Sequence, residues 1–181
     1  FFPAKPLGCY GDGGAVFTDD DELAEILKSI RIHGKGKDKY ENVRVGLNSR
    51  LDTIQAAILI EKLELFPEEL KKRSLVAEEY HKILNEKIQR PNLLNETTSS
   101  WAQYSIIVNN KTEFEQKLMA SNIPFNIYYA APVNRQLAYE KYPVALNGLE
   151  NSNYLATCIL SLPMHPYLKF NEQQKIAASL V

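Results

Sequence analysis

Cysteine is nearly absent from these 181 residues: only Cys9 and Cys158 occur, far apart in the chain. Two such residues make neither a disulfide framework nor the paired spacing of a zinc site, so a reducing, cytosolic setting is the expectation. Excess charge of either sign is also lacking. A formal net charge of −1 leaves no basic surplus to draw the chain onto nucleic acid or an anionic membrane. No apolar run nears the roughly 20 residues of a membrane-spanning helix, and the mean hydropathy is −0.30. An initiator Met and a charged-then-apolar leader are missing too, so a piece of a longer chain is expected. Phe1-Phe2 reads as the inside of a buried strand. No repeat or low-complexity segment is present. The remainder, 45% apolar and 24% charged residues, suits a soluble globular chain with one or two small cores.

Periodicity supplies the elements. Gly14-Ala15-Val16-Phe17-Thr18 is short, β-branched and aromatic, which predicts a strand. Asp19 with Glu22 fits a capping box, and Leu23, Ile26, Leu27 and Ile30 recur on one helical face until His33-Gly34 ends it. Residues 35–47 are charged and aperiodic, a long loop of the kind that is functional or mobile. Asp52 with Gln55 predicts a second capped helix, and Pro67 a restart at the first turn of a third, running from Glu68 to about Leu84. A polar connection follows. Trp101 to Val108 and Ile123 to Tyr129 read as strands. Thr112 with Glu115 opens a helix, Leu137 to Tyr142 is a helical turn, and Asn153 to Leu160 is a helix broken at Leu162-Pro163. Asn171 with Gln174 opens the last helix. The expected division is residues 1–66, strand plus helices, and residues 67–181, a small α/β domain.

One lysine stands out. In "FFPAKPLGCYGDGGA", Lys5 lies between Pro3 and Pro6, which predicts an extended, stiff loop entering a glycine turn. A nucleotide-phosphate loop runs from strand through glycines into a helix, with its lysine late. Here the order is lysine, glycines, strand, and that reading fails. Two remain open: a wet surface lysine, or a buried amine whose pKa desolvation lowers for imine chemistry.

Three ordered motifs bear on the choice: Phe1-Phe2-Pro3-Ala4-Lys5-Pro6-Leu7-Gly8 with Gly11-Asp12-Gly13-Gly14-Ala15; Arg31-Ile32-His33-Gly34, Tyr40 and Gly46-Leu47-Asn48-Ser49-Arg50-Leu51-Asp52 through Gln55-Ala56-Ala57 and Lys62-Leu63; and Leu160-Ser161-Leu162-Pro163-Met164-His165-Pro166. Together they resemble the paired signature and closing motif of the DegT/DnrJ/StrS family of sugar aminotransferases, over most of the chain.

The resemblance implies an α/β fold, the C-terminal part of a fold-type-I pyridoxal 5′-phosphate transferase: the end of the large domain plus a small α/β domain. It implies amino transfer, usually from glutamate, to a keto group on a nucleotide-linked sugar. A UDP-N-acetylhexosamine-derived 3- or 4-keto sugar is the nearest subgroup, in polysaccharide or glycan synthesis, and a cytoplasmic homodimer with shared active sites is implied. Lys5 matches the lysine that binds the cofactor aldehyde and then carries the proton. Asn48 matches an asparagine sent from the neighbouring subunit to the cofactor phosphate; without the resemblance it is a cap or turn residue. Arg50 matches an arginine at the active-site mouth, suited to a carboxylate, against a solvated arginine paired with Asp52. Tyr40 lines the sugar site or only packs. His33 is expected to serve the helix end, His165 a packed turn, and no residues have metal spacing. Related sugar dehydratases usually carry histidine at the Lys5 position, so Lys5 argues against them. The family's "YYPxPLHxQxxY" departs here to Tyr128-Tyr129-Ala130-Ala131-Pro132-Val133-Asn134, with Asn134 for histidine and Ala130 for proline. A competing reading is an inactive fragment serving dimerisation or regulation.

Overall fold

In the computed structural model, which describes residues 1–181, the chain forms two units, Phe1–Pro67 and Glu68–Val181. Asp20 opens the first helix, α1 (Asp21–Ile30), its carboxylate accepting from the Leu23 amide at 3.0 Å. The expected capping role of Asp19 therefore falls one residue later, where the carboxylate reaches the third amide of the helix. Beyond α1 the chain reverses through His33 and Gly34, both with positive φ. It returns alongside itself, with isolated bridges pairing Lys35 with Asn42 and Ile32 with Asn48. The predicted loop is thus partly laddered.

The predicted strand at 14–18 does not form: those residues have no ladder partner, and Val16 and Phe17 are exposed. A β-propensity run becomes a strand only where another strand meets its amides and carbonyls.

Residues 53–83 form one helix, α2 (Thr53–Ile83), with Pro67 inside it. The expected break at Pro67 is absent. Proline removes one backbone donor and crowds the preceding turn, a cost of about 3 kcal/mol, yet strong helix formers continue on both sides, "EKLELF" and "EELKK". The expected box at its start is absent too, because Gln55 is engaged elsewhere.

In the second unit, β1 (Tyr104–Ile107) pairs antiparallel with β2 (Ile159–Leu162), Tyr104 opposite Leu162 and Ile107 opposite Ile159. Single bridges extend this ribbon on both edges, Gln89 to Ile107 and Asn126 to Ser161. The strand expected over 123–129 is thus reduced to one bridge at Asn126. The predicted helix through Leu160 stops earlier: α4 spans Glu150–Cys158, and Ile159-Leu160 pair with β1 instead. Pairing decides because Leu160 and Leu162 become buried in the core. Helix α3 (Lys111–Ala120) is capped by Asn110, whose side chain accepts from the Glu113 amide, rather than by Thr112. Leu137–Tyr139 is a single 3-10 turn. In α5 (Phe170–Ser179), the Glu172 carboxylate accepts from the Lys169 amide at 2.8 Å, so the capping pair lies two residues ahead of the expected Asn171 and Gln174.

The core of this unit is Val76, Ala77, Tyr80 and Leu84 of α2 and its end, Trp101, Tyr104, Ile106 and Val108 around β1, and Leu118, Leu160, Leu162, Ile176 and Leu180. Polar side chains entering it reach backbone carbonyls: Tyr80 donates to the Pro163 carbonyl at 2.9 Å, Gln173 to Val76 at 2.8 Å, and Arg73 Nη1 to Trp101 at 2.9 Å, while Arg73 Nε is buried without a partner.

Tyr80 and Tyr104 are both fully buried, and burial raises the pKa of each well above the ordinary tyrosine value of 10.0. The unfolded chain releases these protons at lower pH than the folded one. Stability is therefore fully present below pH 10 and falls as pH rises beyond it, by about 1.4 kcal/mol per pH unit for each tyrosine. Urea melts between pH 9 and pH 12 are expected to show this decline beginning near pH 10, and Tyr80→Phe to make it shallower. A flat profile to pH 12 would contradict the burial argument.

Candidate functional site

The Lys5 loop is folded on itself. The Lys5 amide donates to the Phe2 carbonyl at 2.9 Å, which makes a turn of residues 2–5 rather than the extended segment expected from its prolines. Gly8 is pressed against that turn: a Cβ there would lie 2.6 Å from the Phe2 oxygen and 2.7 Å from the Pro3 oxygen. Only glycine lets the chain approach so closely. Cys9 is completely buried, its amide donating to Phe1 O at 2.9 Å and its thiol to Gly11 O at 2.9 Å. The side chain of Lys5 stands free of this framework, exposed and in none of the chain's ion pairs. The buried amine anticipated as one reading is not present within residues 1–181.

Helix α2 supplies the anchors. Gln55 Oε1 accepts from the Tyr10 amide at 2.8 Å, and Lys62 Nζ donates to the Gly8 carbonyl at 2.6 Å while lying 5.7 Å from the Tyr10 ring centre. These residues are seven apart, two turns, so they share a helix face with buried Leu59 between them. Sequence reasoning gave neither of them a site role. The signal was the recurrence of polar residues at i and i+7 where a purely packed helix would place apolar ones.

Asn48 and Arg50 belong to the second framework. Leu47 N donates to Ile30 O at 2.8 Å, His33 N to Leu47 O at 2.9 Å, and Ser49 N to Arg31 O at 3.0 Å. This lashes the Asn48 segment to the end of α1. Gly34 and Gly46 make the approach possible, since a Cβ on Gly46 would lie 2.0 Å from Gly34 N. His33 contributes its backbone to this ladder, three residues beyond the end of α1. Asn48 and Arg50 are both exposed. Arg50 makes no ion pair with Asp52, so the pairing considered for it is absent. Tyr40 is 87% exposed and sits beneath Lys39 Nζ at 5.1 Å. Lys5, Tyr40, Asn48 and Arg50 share no hydrogen bond, and the groove beside α1, lined by Glu22, Lys28, Lys35, Glu41 and Arg44 among others, contains none of the four. Elsewhere, His165 is exposed in a turn in which its Nδ1 accepts from Tyr167 N at 3.3 Å. Asn134, which stands where the resemblance places histidine, donates to Asn153 Oδ1 at 3.2 Å. No three His, Cys, Asp or Glu side chains are grouped to hold a metal ion, and no helix is long and apolar enough to cross a membrane.

Comparison with known proteins sets these two frameworks in context. The chain is 44% identical over 181 residues to the UDP-2-acetamido-2-deoxy-3-oxo-D-glucuronate aminotransferase of Pseudomonas aeruginosa, covering 99% of this chain and 49% of that protein. Among solved structures, a DegT DnrJ EryC1 StrS aminotransferase from Brucella abortus superposes with a TM-score of 0.96 at 50% identity, over 99% of this chain and 48% of that one. NtdA from Bacillus subtilis, solved with bound cofactor PMP, gives a TM-score of 0.83 at 27% identity, over 99% and 43%. The chain thus spans about half the length of these relatives, and its fold is that of part of a fold-type-I aminotransferase. With residues 1–181 matching throughout, the chain belongs to the DegT/DnrJ/EryC1/StrS aminotransferase family.

Proposed function

We propose that the protein containing these residues transfers an amino group to the keto carbon of a nucleotide-linked sugar, with Lys5 as its catalytic amine. Members of this family depend on pyridoxal 5′-phosphate, which presents an aldehyde and a phosphate, and the residues present fit both. Lys5 offers an exposed primary amine, outside every ion pair, on a loop whose backbone is fixed at Phe2, Gly8 and Cys9. Asn48 offers an exposed carboxamide, able to donate to phosphate without adding charge. When bound, the cofactor supplies the electron sink that lets an amine be exchanged for a keto oxygen.

The work of the protein is orientation and proton transfer. Lys5 Nζ is the group that would hold the cofactor, through its aldehyde. With its amine free, Lys5 would act as the acid–base group that carries the proton, in opposite directions in the two half-reactions. Arg50 carries a planar donor fork free of any internal carboxylate, so it suits a carboxylate on glutamate as donor or on a uronic acid as acceptor. The glucuronate in the name of the Pseudomonas aeruginosa relative favours a UDP-N-acetylhexosamine-derived 3-keto sugar. That chemistry belongs to surface polysaccharide or glycan synthesis in the cytoplasm. Lys5 and Asn48 sit on separate frameworks with no contact between them, which suits a homodimer in which Asn48 completes the neighbouring subunit's site. Tyr40, exposed on its loop, is assigned to the sugar side.

The observation that carries this reading is the unpaired Lys5 amine on a turn closed by Gly8. Borohydride treatment of the protein purified with cofactor, followed by peptide mapping, is expected to leave a pyridoxyl mass on Lys5. A label on another lysine, or none, would overturn the assignment.

A further inference from the structure

Gln55 and Lys62 have no role in the chemistry above, yet each spends its polar group on the lysine loop. Lys62 Nζ reaches the Gly8 carbonyl at 2.6 Å, and Gln55 Oε1 receives the Tyr10 amide at 2.8 Å. From Gly8 the path to Lys5 is short. Its Cα is held against the Phe2 and Pro3 carbonyls, and the Phe2 carbonyl accepts from the Lys5 amide. Gln55 also borders Gly11, where a Cβ would lie 3.2 Å from Nε2. The Gly8 carbonyl and the Tyr10 amide are thereby both fastened to a single helix face. Surface decoration does not require this arrangement: exposed lysines ordinarily leave their ammonium in water, and here it is partly buried on a carbonyl.

We infer that Gln55 and Lys62 are positioning residues, a two-point clasp on α2 that fixes the loop so that the Lys5 amine is presented in one place. The inference rests on the proposed role of Lys5 and adds to it. A misplacement of about 1 Å at a reacting group costs on the order of 100-fold in rate, so a clasp acting on the loop should show in turnover before it shows in stability or affinity.

The test uses the protein expressed from its intact gene and purified with its cofactor. Gln55→Leu and Lys62→Met remove the two polar contacts while keeping side-chain bulk, and Gln55→Glu and Lys62→Arg keep an acceptor and a donor respectively. Hydrogen exchange followed by mass spectrometry at the Tyr10 and Cys9 amides reads the loop directly, without turnover. Loss of one such bond is expected to speed exchange about tenfold. The first pair of variants is expected to lower kcat by about 10- to 100-fold, with the KM for glutamate within about twofold and the melting temperature nearly unchanged. The conservative pair is expected to recover most of the rate. Wild-type exchange and wild-type kcat in Gln55→Leu/Lys62→Met would overturn the clasp. So would a loss of rate that tracks a fall in melting temperature and that Gln55→Glu and Lys62→Arg fail to rescue. Lys5→Ala run alongside separates the two claims: if it keeps turnover, the catalytic reading fails, while faster exchange in the clasp variants would still show what holds the loop.

Discussion

Lys5→Ala, made in the protein expressed from its intact gene, is expected to lower amino transfer from glutamate to a UDP-linked keto sugar by at least about 1,000-fold. General acid–base transfer alone contributes about 10²- to 10⁴-fold, and the same substitution removes the group that holds the cofactor. The fold should not suffer, because Lys5 is exposed and its side chain fills no cavity. With cofactor removed from both proteins, melting temperature and the exchange pattern of the second unit should therefore match wild type, while the cofactor-loaded wild type melts higher. Lys5→Arg is expected to be equally inactive, since a guanidinium stays protonated and neither condenses with an aldehyde nor accepts a proton near neutral pH. Turnover by either variant within tenfold of wild type, followed by coupled assay of donor and acceptor, would remove Lys5 from the mechanism.

Gly34→Ala is expected to cause the largest loss of stability available from a single added methyl. Gly34 has φ 72°, and a Cβ there would lie 1.7 Å from the Arg44 carbonyl oxygen and 2.6 Å from its carbon. Holding alanine in the left-handed region costs about 1–2 kcal/mol, and forcing backbone apart adds about 1–3 kcal/mol. The sum, roughly 2–5 kcal/mol, is a large part of the 5–15 kcal/mol that typical proteins possess. Its functional consequence follows from the ladder. If Arg44 is pushed away, the bonds from His33 to Leu47 and from Ser49 to Arg31 open, and Asn48 and Arg50 lose their placement. Urea melts and exchange at the His33 amide measure both effects. Gly14→Ala is the control, since nothing lies within 4 Å of its Cβ position, and it should stay within about 0.5 kcal/mol of wild type. Equal melts for the two variants would contradict the packing described here.

Local rules read some of this architecture well and some poorly, for identifiable reasons. The apolar spacing of Leu23, Ile26, Leu27 and Ile30 defines α1 because a helix bonds to itself and needs no distant partner. Caps slip by a residue or two, from Asp19 to Asp20 and from Thr112 to Asn110, where several adjacent side chains are chemically able to cap and only the backbone path chooses. Strands are harder to read because their partners are remote: residues 14–18 look like a strand and are none, while Ile159 and Leu160 look helical and pair with β1. Gln55 shows the same limit within the site. Its spacing from Asp52 fits a capping box, but the Tyr10 amide, 45 residues away, claims it.

Composition and periodicity by themselves indicated the globular α/β character, and the resemblance carried by three ordered motifs pointed to the family and to the lysine to test, because all of these are written in residue types and short stretches of chain. Only the tertiary structure decided that the lysine loop closes on Gly8, that α2 runs through Pro67, and that Gln55 and Lys62 bind the loop from one helix face. Contacts between residues dozens of positions apart carry no local signal. They exist only once the chain has brought a helix face and a glycine turn within hydrogen-bonding distance.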